Sequence, residues 1–479
     1  MRIEEHPILK FERGREIYFY YRGKKLKAYE GESIAAALHA NGIRKFSESV
    51  RFSRPRGFFC GIGKCSSCLM KVDGIPNVRT CITPVREGMV VEENDGELPH
   101  SEMPEAETVE MEVDIAIVGG GAAGLSAAIE ASPYASVVVI DENPRLGGQL
   151  IKQTHKFFGS EKERAGTRGI EIAKILQEEA MEKCNILLNT SVVGYYDRGY
   201  HFMVAVNKME NVVYEIKAKK IIFATGAQEN MLVFEGNDLP GIYGAGGVQT
   251  LMNVYGVKPG RKGLIVGAGN VGLILAYQLK QAGVDVAAII EAMPKIGGYM
   301  VHAAKVRRCG VPIYTRHSIK KAYGNGKVEG AIIAELDENW NYVEGSEQRI
   351  ECDFICLAVG LTPSIRLAAQ AGAEMAYINE AGGWVALHNE YMETTKEGIY
   401  VAGDLANIEE ASAAMIEGKI AGLHAANSIK PVEGAEEKIR EYMNELRIFR
   451  EGPFGARPKK AKEKIREKYY EKMGKGRSS

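Results

Sequence analysis

Two apolar strands that each run straight into a glycine-rich turn, with one tight group of cysteines ahead of both, predict an α/β chain. The expected architecture is two Rossmann-like dinucleotide-binding domains, one inserted in the other, behind a small β-grasp domain. The first strand is the run VDIAIV at residues 113–118, short and apolar enough to be buried in a parallel sheet. It passes into Gly119-Gly120-Gly121-Ala122-Ala123-Gly124, a G-x-G-x-x-G fingerprint opening a small-residue helix. Gly119 allows the tight turn, Gly121 lets backbone approach a pyrophosphate, and Gly124 lets helix and strand pack closely. A second run, VVVI at 137–140, delivers Asp141 at about the 20-residue offset where an acid takes a ribose hydroxyl, with Glu142 as its alternative. The stretch closes on Gly148 and Gln149.

The same pattern returns. LIV at 264–266 leads into Gly267-Ala268-Gly269-Asn270-Val271-Gly272, and a later apolar run ends in Glu291. Even the sequel repeats, because NPRLGG at 143–148 is echoed by MPKIGG at 293–298.

Composition narrows the classes. The 479 residues carry a formal net charge of −1 at pH 7, which leaves no basic footprint for nucleic acid. No apolar run reaches the length of a membrane span, and residues 1–13 are charged rather than signal-like. The expectation is a cytoplasmic protein. Eight cysteines in so long a chain make no disulfide framework, and a close group of them reads as a metal site.

From the N-terminus, residues 16–21 and 26–29 read as a hairpin about Gly23-Lys24, and residues 34–40 as a short helix started by Ser33. Cys60, Cys65, Cys68 and Cys81 then follow as C-x4-C-x2-C…C, the plant-type spacing for a [2Fe–2S] cluster. Four thiolates must converge on two irons from one loop, and Gly61 and Gly63 permit the positive φ values that aim amide N–H groups at sulfur. Residues 77–82 read as the strand returning Cys81. A zinc site with paired C-x2-C knuckles fits less well, since only one such pair exists. A P-loop reading of Gly63-Lys64 fails, because Cys65 occupies the position that needs a hydroxyl. Cys184, Cys309, Cys352 and Cys356 read as packing residues, the last two on one face of one strand.

Residues 92–112 are acidic, hold no Lys or Arg, and read as an extended linker. Beyond them, Ala224-Thr225-Gly226 ends an apolar strand, Gly360 ends a partial copy of it, and Gly403-Asp404 closes a third. The expected domains are 1–91 for the ferredoxin-like [2Fe–2S] domain, 113–230 with 355–430 for the first nucleotide-binding domain, 231–354 for the second, and 431–479 as a charged tail. That tail reads as a solvated helix or a subunit contact. Lys152 and His155, just beyond Gly148, read as surface residues, the alternative being a place beside a flavin ring.

Taken together, the two fingerprints, the intervening Ala-Thr-Gly and the closing Ala-Gly-Asp resemble the two-dinucleotide flavoproteins related to thioredoxin and glutathione reductases. The resemblance implies FAD at the first fingerprint, a nicotinamide cofactor at the second, and a flavin ribityl chain held by Asp404. Gly119, Gly121, Ala122, Ala123, Gly124, Asp141, Glu142, Gly148, Gln149, Ala224, Thr225, Gly226, Gly403 and Asp404 then fall to FAD. Gly267, Gly269, Asn270, Val271, Gly272 and Glu291 fall to NAD(H), with Gly360 as a further closure. Glu291 favours NADH, since a carboxylate accepts from a free ribose hydroxyl and repels a 2′-phosphate.

With the cysteine domain ahead, the chain is similar to the α subunits of sarcosine oxidases, opine oxidases, hydrogen cyanide synthase and archaeal proline dehydrogenase complexes. In those complexes a flavoprotein β subunit oxidises the amine or amino acid, and the α subunit carries electrons onward. Many such α subunits add a second cysteine-rich domain, whereas no cysteine follows Cys356 here. A second centre would sit on a small iron–sulfur subunit. The resemblance leaves open ATP or another ADP-containing nucleotide in a Rossmann site, and FMN at a subunit interface.

The expected function is an oxidoreductase subunit moving electrons between NAD(H), FAD and the cluster. The alternatives are a stand-alone NADH:acceptor (ferredoxin) reductase, or a nucleotide-holding scaffold without a flavin. Hydride transfer requires no protein acid, base or nucleophile, so no catalytic residue is assigned.

Overall fold

A computed structural model describes residues 1–49, 51–94, 105–156, 159–452 and 454–474. The chain forms two units, one of Met1–Glu102 with Glu229–Gly360 and one of Met103–Gln228 with Leu361–Ser479.

The first unit opens with the hairpin. Strands Glu16–Tyr21 and Lys24–Tyr29 pair antiparallel about Arg22 and Gly23, whose φ values are +49° and +71°. Their five-stranded sheet is completed by Val90–Glu92, Leu69–Val72 and Ile75–Arg79. Glu16–Tyr21 runs parallel to Val90–Glu92, as in a β-grasp. Helix Ile34–Ala40 starts where Ser33 accepts the Ala36 N–H at 3.2 Å, and its apolar residues all face inward.

The same unit holds a parallel sheet ordered Ile242–Gly244, Phe354–Leu357, Lys262–Val266, Asp285–Glu291, Ile313–Thr315. Helix Asn270–Gln281 follows the second fingerprint. Phe354–Leu357, expected to begin the return to the first nucleotide-binding domain, pairs instead with Lys262–Val266. The first unit therefore keeps the chain to Gly360. Cys352 lies between strands Gln348–Glu351 and Phe354–Leu357 rather than sharing a strand with Cys356, and both are buried.

The second unit is built on the long strand Glu107–Val118, which runs parallel to Val212–Phe223 along its whole length. The sheet order is Asn185–Leu187, Val137–Ile140, Glu107–Val118, Val212–Phe223, His201–Asn207, Thr190–Asp197, with Ile399–Val401 on the other end of Val212–Phe223. The acidic end of the expected linker is thus strand. Lys217 meets Glu112 at 3.2 Å and Lys219 meets Asp114 at 2.7 Å across it, which offsets the like charges. Of the other residues expected as linker, 95–104 lie outside the described residues.

Helix Ala411–Ile429 presses on the fingerprint helix Ala122–Ala131. A Cβ on Gly418 or Gly422 would stand 2.1 Å from the Ala123 carbonyl oxygen or 2.3 Å from that of Ala127, so only glycine allows this approach. The residues expected as a solvated tail form two helices, Ala435–Glu451 and Ala456–Lys472, that bury Ile439, Leu446, Ala461 and Ile465. Lys152, expected at the surface, is also buried. Among the described residues no helix is long and apolar enough to cross a membrane.

Candidate functional site

The cysteine loop draws its four thiols together. Cys60 is hydrogen-bonded to the thiols of Cys65 and Cys81, and Cys68 to that of Cys81. Donation by its neighbours holds the Cys60 thiol far below the usual range, and the donors Cys65 and Cys81 are pushed up in return. Backbone N–H groups converge as well, that of Gly63 on Cys81 Sγ at 3.3 Å and those of Ile62 and Cys65 on Cys60. Such donors stabilise thiolate and sulfide charge. Among the described residues no group of three or more His, Cys, Asp or Glu stands ready to hold a metal ion. Two thiol pairs, Cys60 with Cys65 and Cys68 with Cys81, linked through Cys60 and Cys81, suit a centre of two irons.

Glycine lets this loop fold. Gly61 and Gly63 hold φ of +67° and +74°, and a Cβ on Gly63 would stand 2.8 Å from Ile82 Cδ1. Cys81 comes two residues after strand Ile75–Arg79 rather than within it, tied down where Thr80 Oγ1 donates to the Cys68 carbonyl at 2.7 Å.

Sequence reasoning missed what the loop sits on. The Gly244 N–H donates to the Phe59 carbonyl at 3.2 Å, and a Cβ on Gly247 would stand 2.0 Å from that oxygen. The cluster loop is thereby seated on the segment leading into helix Ala245–Gln249 of the second nucleotide-binding sheet. Only the glycine at 247 signals this, and a lone glycine points to no partner.

The two fingerprints repeat each other atom for atom. The Gly119 N–H donates to the Ile140 carbonyl at 2.8 Å and the Gly267 N–H to that of Ile290 at 2.7 Å. Ala224 and Ala358 return their N–H groups to Val118 and Val266, both at 2.8 Å. Asp141 accepts the Gly120 N–H at 2.7 Å and the Asn143 N–H at 2.8 Å. Glu291 accepts the Ala268 N–H at 2.8 Å and the Met293 N–H at 3.0 Å. Each acid thus braces its own glycine turn. Burial pushes the Asp141 carboxyl up from its ordinary value.

The echoed glycine pairs gain a role here. Gly147 donates to the Gly120 carbonyl at 2.7 Å and Gly297 to that of Ala268 at 3.2 Å. A Cβ on Gly148 would stand 2.8 Å from Gly121 Cα, and one on Gly298 2.8 Å from the Asn270 nitrogen. The helices that follow Gly121 and Gly269 carry no side-chain cap, so an anion such as a pyrophosphate could meet their first-turn N–H groups, those of Ala122, Ala123, Asn270 and Val271 among them.

In the second unit the first fingerprint meets its closures. A Cβ on Gly403 would stand 2.9 Å from Ala123 Cβ, which sets Asp404 beside the fingerprint helix. Thr225 Oγ1 donates to the Ser364 carbonyl at 2.9 Å, and Ser364 N–H to the Gly226 carbonyl at 2.9 Å. Gln149 is exposed and Glu142 half-buried. Gly360 belongs with the second fingerprint, where it accepts the Asn230 N–H at 3.1 Å. The half-buried Asp404 accepts a long 3.4 Å bond from the Glu409 N–H, and burial pushes its carboxyl up to about 7. A half-buried acceptor so weakly bonded, beside a glycine cradle, fits a polyhydroxylated nucleotide.

The family model for pyridine nucleotide-disulphide oxidoreductases matches residues 113–418, and that for a 2Fe-2S iron-sulfur cluster binding domain matches residues 14–96. The chain belongs to the pyridine nucleotide-disulphide oxidoreductase family. The two matches imply FAD and NAD(P) binding and a 2Fe–2S cluster in one oxidoreductase. Among relatives of this family member, the alpha subunit of sarcosine oxidase from Corynebacterium sp. (strain P-1) is 27% identical over 456 residues, 89% of this chain and 45% of that one. An opine oxidase subunit from Agrobacterium tumefaciens (strain Ach5) is 29% identical over 335 residues, 67% of this chain and 66% of that one. The chain thus spans less than half the length of the sarcosine oxidase polypeptide it matches. The solved L-proline dehydrogenase from P. horikoshii superposes with a TM-score of 0.70 at 29% identity, over 91% of this chain and 79% of that one. No disulphide joins any of the eight cysteines.

Proposed function

We propose that this chain is the electron-transferring α subunit of a heteromeric amine or amino-acid dehydrogenase, of proline- or sarcosine-oxidising type. The partners would be a flavoprotein β subunit that oxidises the substrate and a small iron–sulfur subunit, with the whole complex in the cytoplasm. FAD is assigned to Gly119–Gly124, Asp141 or Glu142, and Asp404. NAD(H) is assigned to the turn at 267–272 with Glu291, and the cluster to Cys60, Cys65, Cys68 and Cys81. When bound, FAD accepts a hydride and releases electrons singly to a one-electron centre.

The observation that carries the reading is the distribution of thiols. The four cluster cysteines converge, whereas Cys184 and Cys309 stand apart and Cys352 and Cys356 are buried, their thiols pushed up by burial. Nothing outside the cluster loop offers a dithiol to take two electrons. The cluster is then the redox centre that the chain's own residues supply besides the nucleotides.

Purification of the native complex through a tag on this chain tests the assignment. A stoichiometric flavoprotein partner with amino-acid dehydrogenase activity is expected. Full NADH:acceptor activity in the isolated chain, with no partner recovered, overturns it in favour of a stand-alone reductase.

A further inference from the structure

The matched family segment ends at residue 418, yet the two helices beyond residue 434 reach into the unit that holds the first fingerprint. Arg450, on the first of them, is only 7% exposed and forks onto Glu409, through Nε at 3.1 Å and Nη2 at 2.8 Å. The same Nη2 reaches Glu417 Oε1 at 2.6 Å. Lys462, on the second helix, meets that oxygen at 2.7 Å and His388 Nε2 at 3.0 Å. Glu417 is 2% exposed, and its other oxygen accepts the Gly403 N–H at 3.1 Å.

Glu409 and Glu417 face Arg450 and Lys462, with Arg466 a further, half-buried cation close by. Taking four charges out of water offsets most of their mutual attraction, so such a network contributes little net stability. What distinguishes this one is where it ends. Glu417 holds the N–H immediately before Asp404, and the Glu409 N–H is the donor to Asp404 Oδ1. Arg450 grips both acids that bracket Asp404.

We infer that Arg450, braced by Lys462, is a positioning residue for the flavin: through Glu417 and Glu409 it fixes the Gly403–Asp404 turn that receives FAD. This rests on the assignment of FAD to the first fingerprint. The tail helices are then part of the cofactor site, and FAD retention depends on residues far outside the Rossmann motifs.

The test is the FAD dissociation constant of the full-length, deflavinated protein, read by flavin fluorescence. It is run for wild type, Arg450→Met, Arg450→Lys and Asp404→Asn, and for Arg450→Met in the Asp404→Asn background. A charge-balanced pair, Arg450→Met with Glu409→Gln, covers the case in which the single variant fails to fold, and cluster absorbance with the apoprotein melting curve reports folding. Arg450→Met or the balanced pair should weaken FAD by about tenfold or more, and Arg450→Lys should recover most of that. In the Asp404→Asn background the loss should shrink to within about twofold, because the two residues act as one unit. A lowered melting temperature with unchanged FAD affinity overturns the inference, as does an equal loss in both backgrounds. Wild type that takes up no FAD overturns the FAD assignment itself, and the two failures are told apart by that arm.

Discussion

The Ala224 carbonyl oxygen lies 2.3 Å from the place a Cβ on Gly119 would occupy, and Gly119 holds φ of +109°. Ala358 stands in the same relation to Gly267, again at 2.3 Å. Each carbonyl follows a central strand of its sheet and cannot swing aside as a side chain would, so a methyl at either glycine displaces the turn that faces the nucleotide.

Gly119→Ala should weaken FAD binding by about 10- to 100-fold, the equivalent of roughly 1.4–2.8 kcal/mol. Gly267→Ala should do the same to NADH while leaving flavin content intact. Parallel titrations of both nucleotides against both variants check this. If either variant loses both ligands, the sites are not separate.

Cys65→Ser removes one partner of the Cys60 thiol. The cluster's visible absorbance should disappear, since serine replaces thiolate in a four-ligand set. Flavin reduction by NADH, followed by stopped flow, should stay within about twofold of wild type, because hydride transfer needs no cluster. Loss of flavin reduction as well would contradict separate redox sites.

Asp404 gives the flavin-free protein a pH signature. Burial, reinforced by the Glu409 and Glu417 carboxylates, raises its pKa from 3.8 to about 7. A carboxyl raised in the fold favours folding when protonated, so its contribution is complete below pH 3.8 and is lost as pH rises to about 7. The melting temperature of wild type should therefore fall relative to Asp404→Asn across that window and run parallel to it above. A constant difference at all pH values would show that Asp404 does not titrate there.

Glu291 braces the second turn, and in the proposed NAD(H) site its carboxylate would repel a 2′-phosphate. The protein should prefer NADH, and Glu291→Gln should reduce the NADH over NADPH preference by about tenfold, roughly 1.4 kcal/mol. Ratios of kcat/KM for the two coenzymes measure it. Preference for NADPH in the wild type would reverse the assignment.

Local chemistry is legible in the sequence, and long-range pairing is not. Helix Ile34–Ala40 and the hairpin about Gly23 are readable because caps and turns act within a few residues. Both fingerprints are readable because glycine at those φ values has few other uses. The run FICL at 354–357 suits either parallel sheet, and only its pairing with Lys262–Val266 decides between them. The acidic run at 107–112 reads as solvated because Lys217, which meets Glu112, lies about a hundred residues on. Arg450 and Lys462 sit in highly charged helices that read as solvent-facing, and the carboxylates that bury them are 33 to 45 positions away. No window of sequence holds both ends of such a pair.

In the proposed function one polypeptide passes electrons from NADH through a flavin to an iron–sulfur cluster. The most direct measurement is the visible spectrum of the anaerobically purified chain before and after NADH is added. The flavin band should bleach and the cluster absorbance fall with it. A flavin indifferent to NADH, or a cluster with no flavin at all, would contradict it.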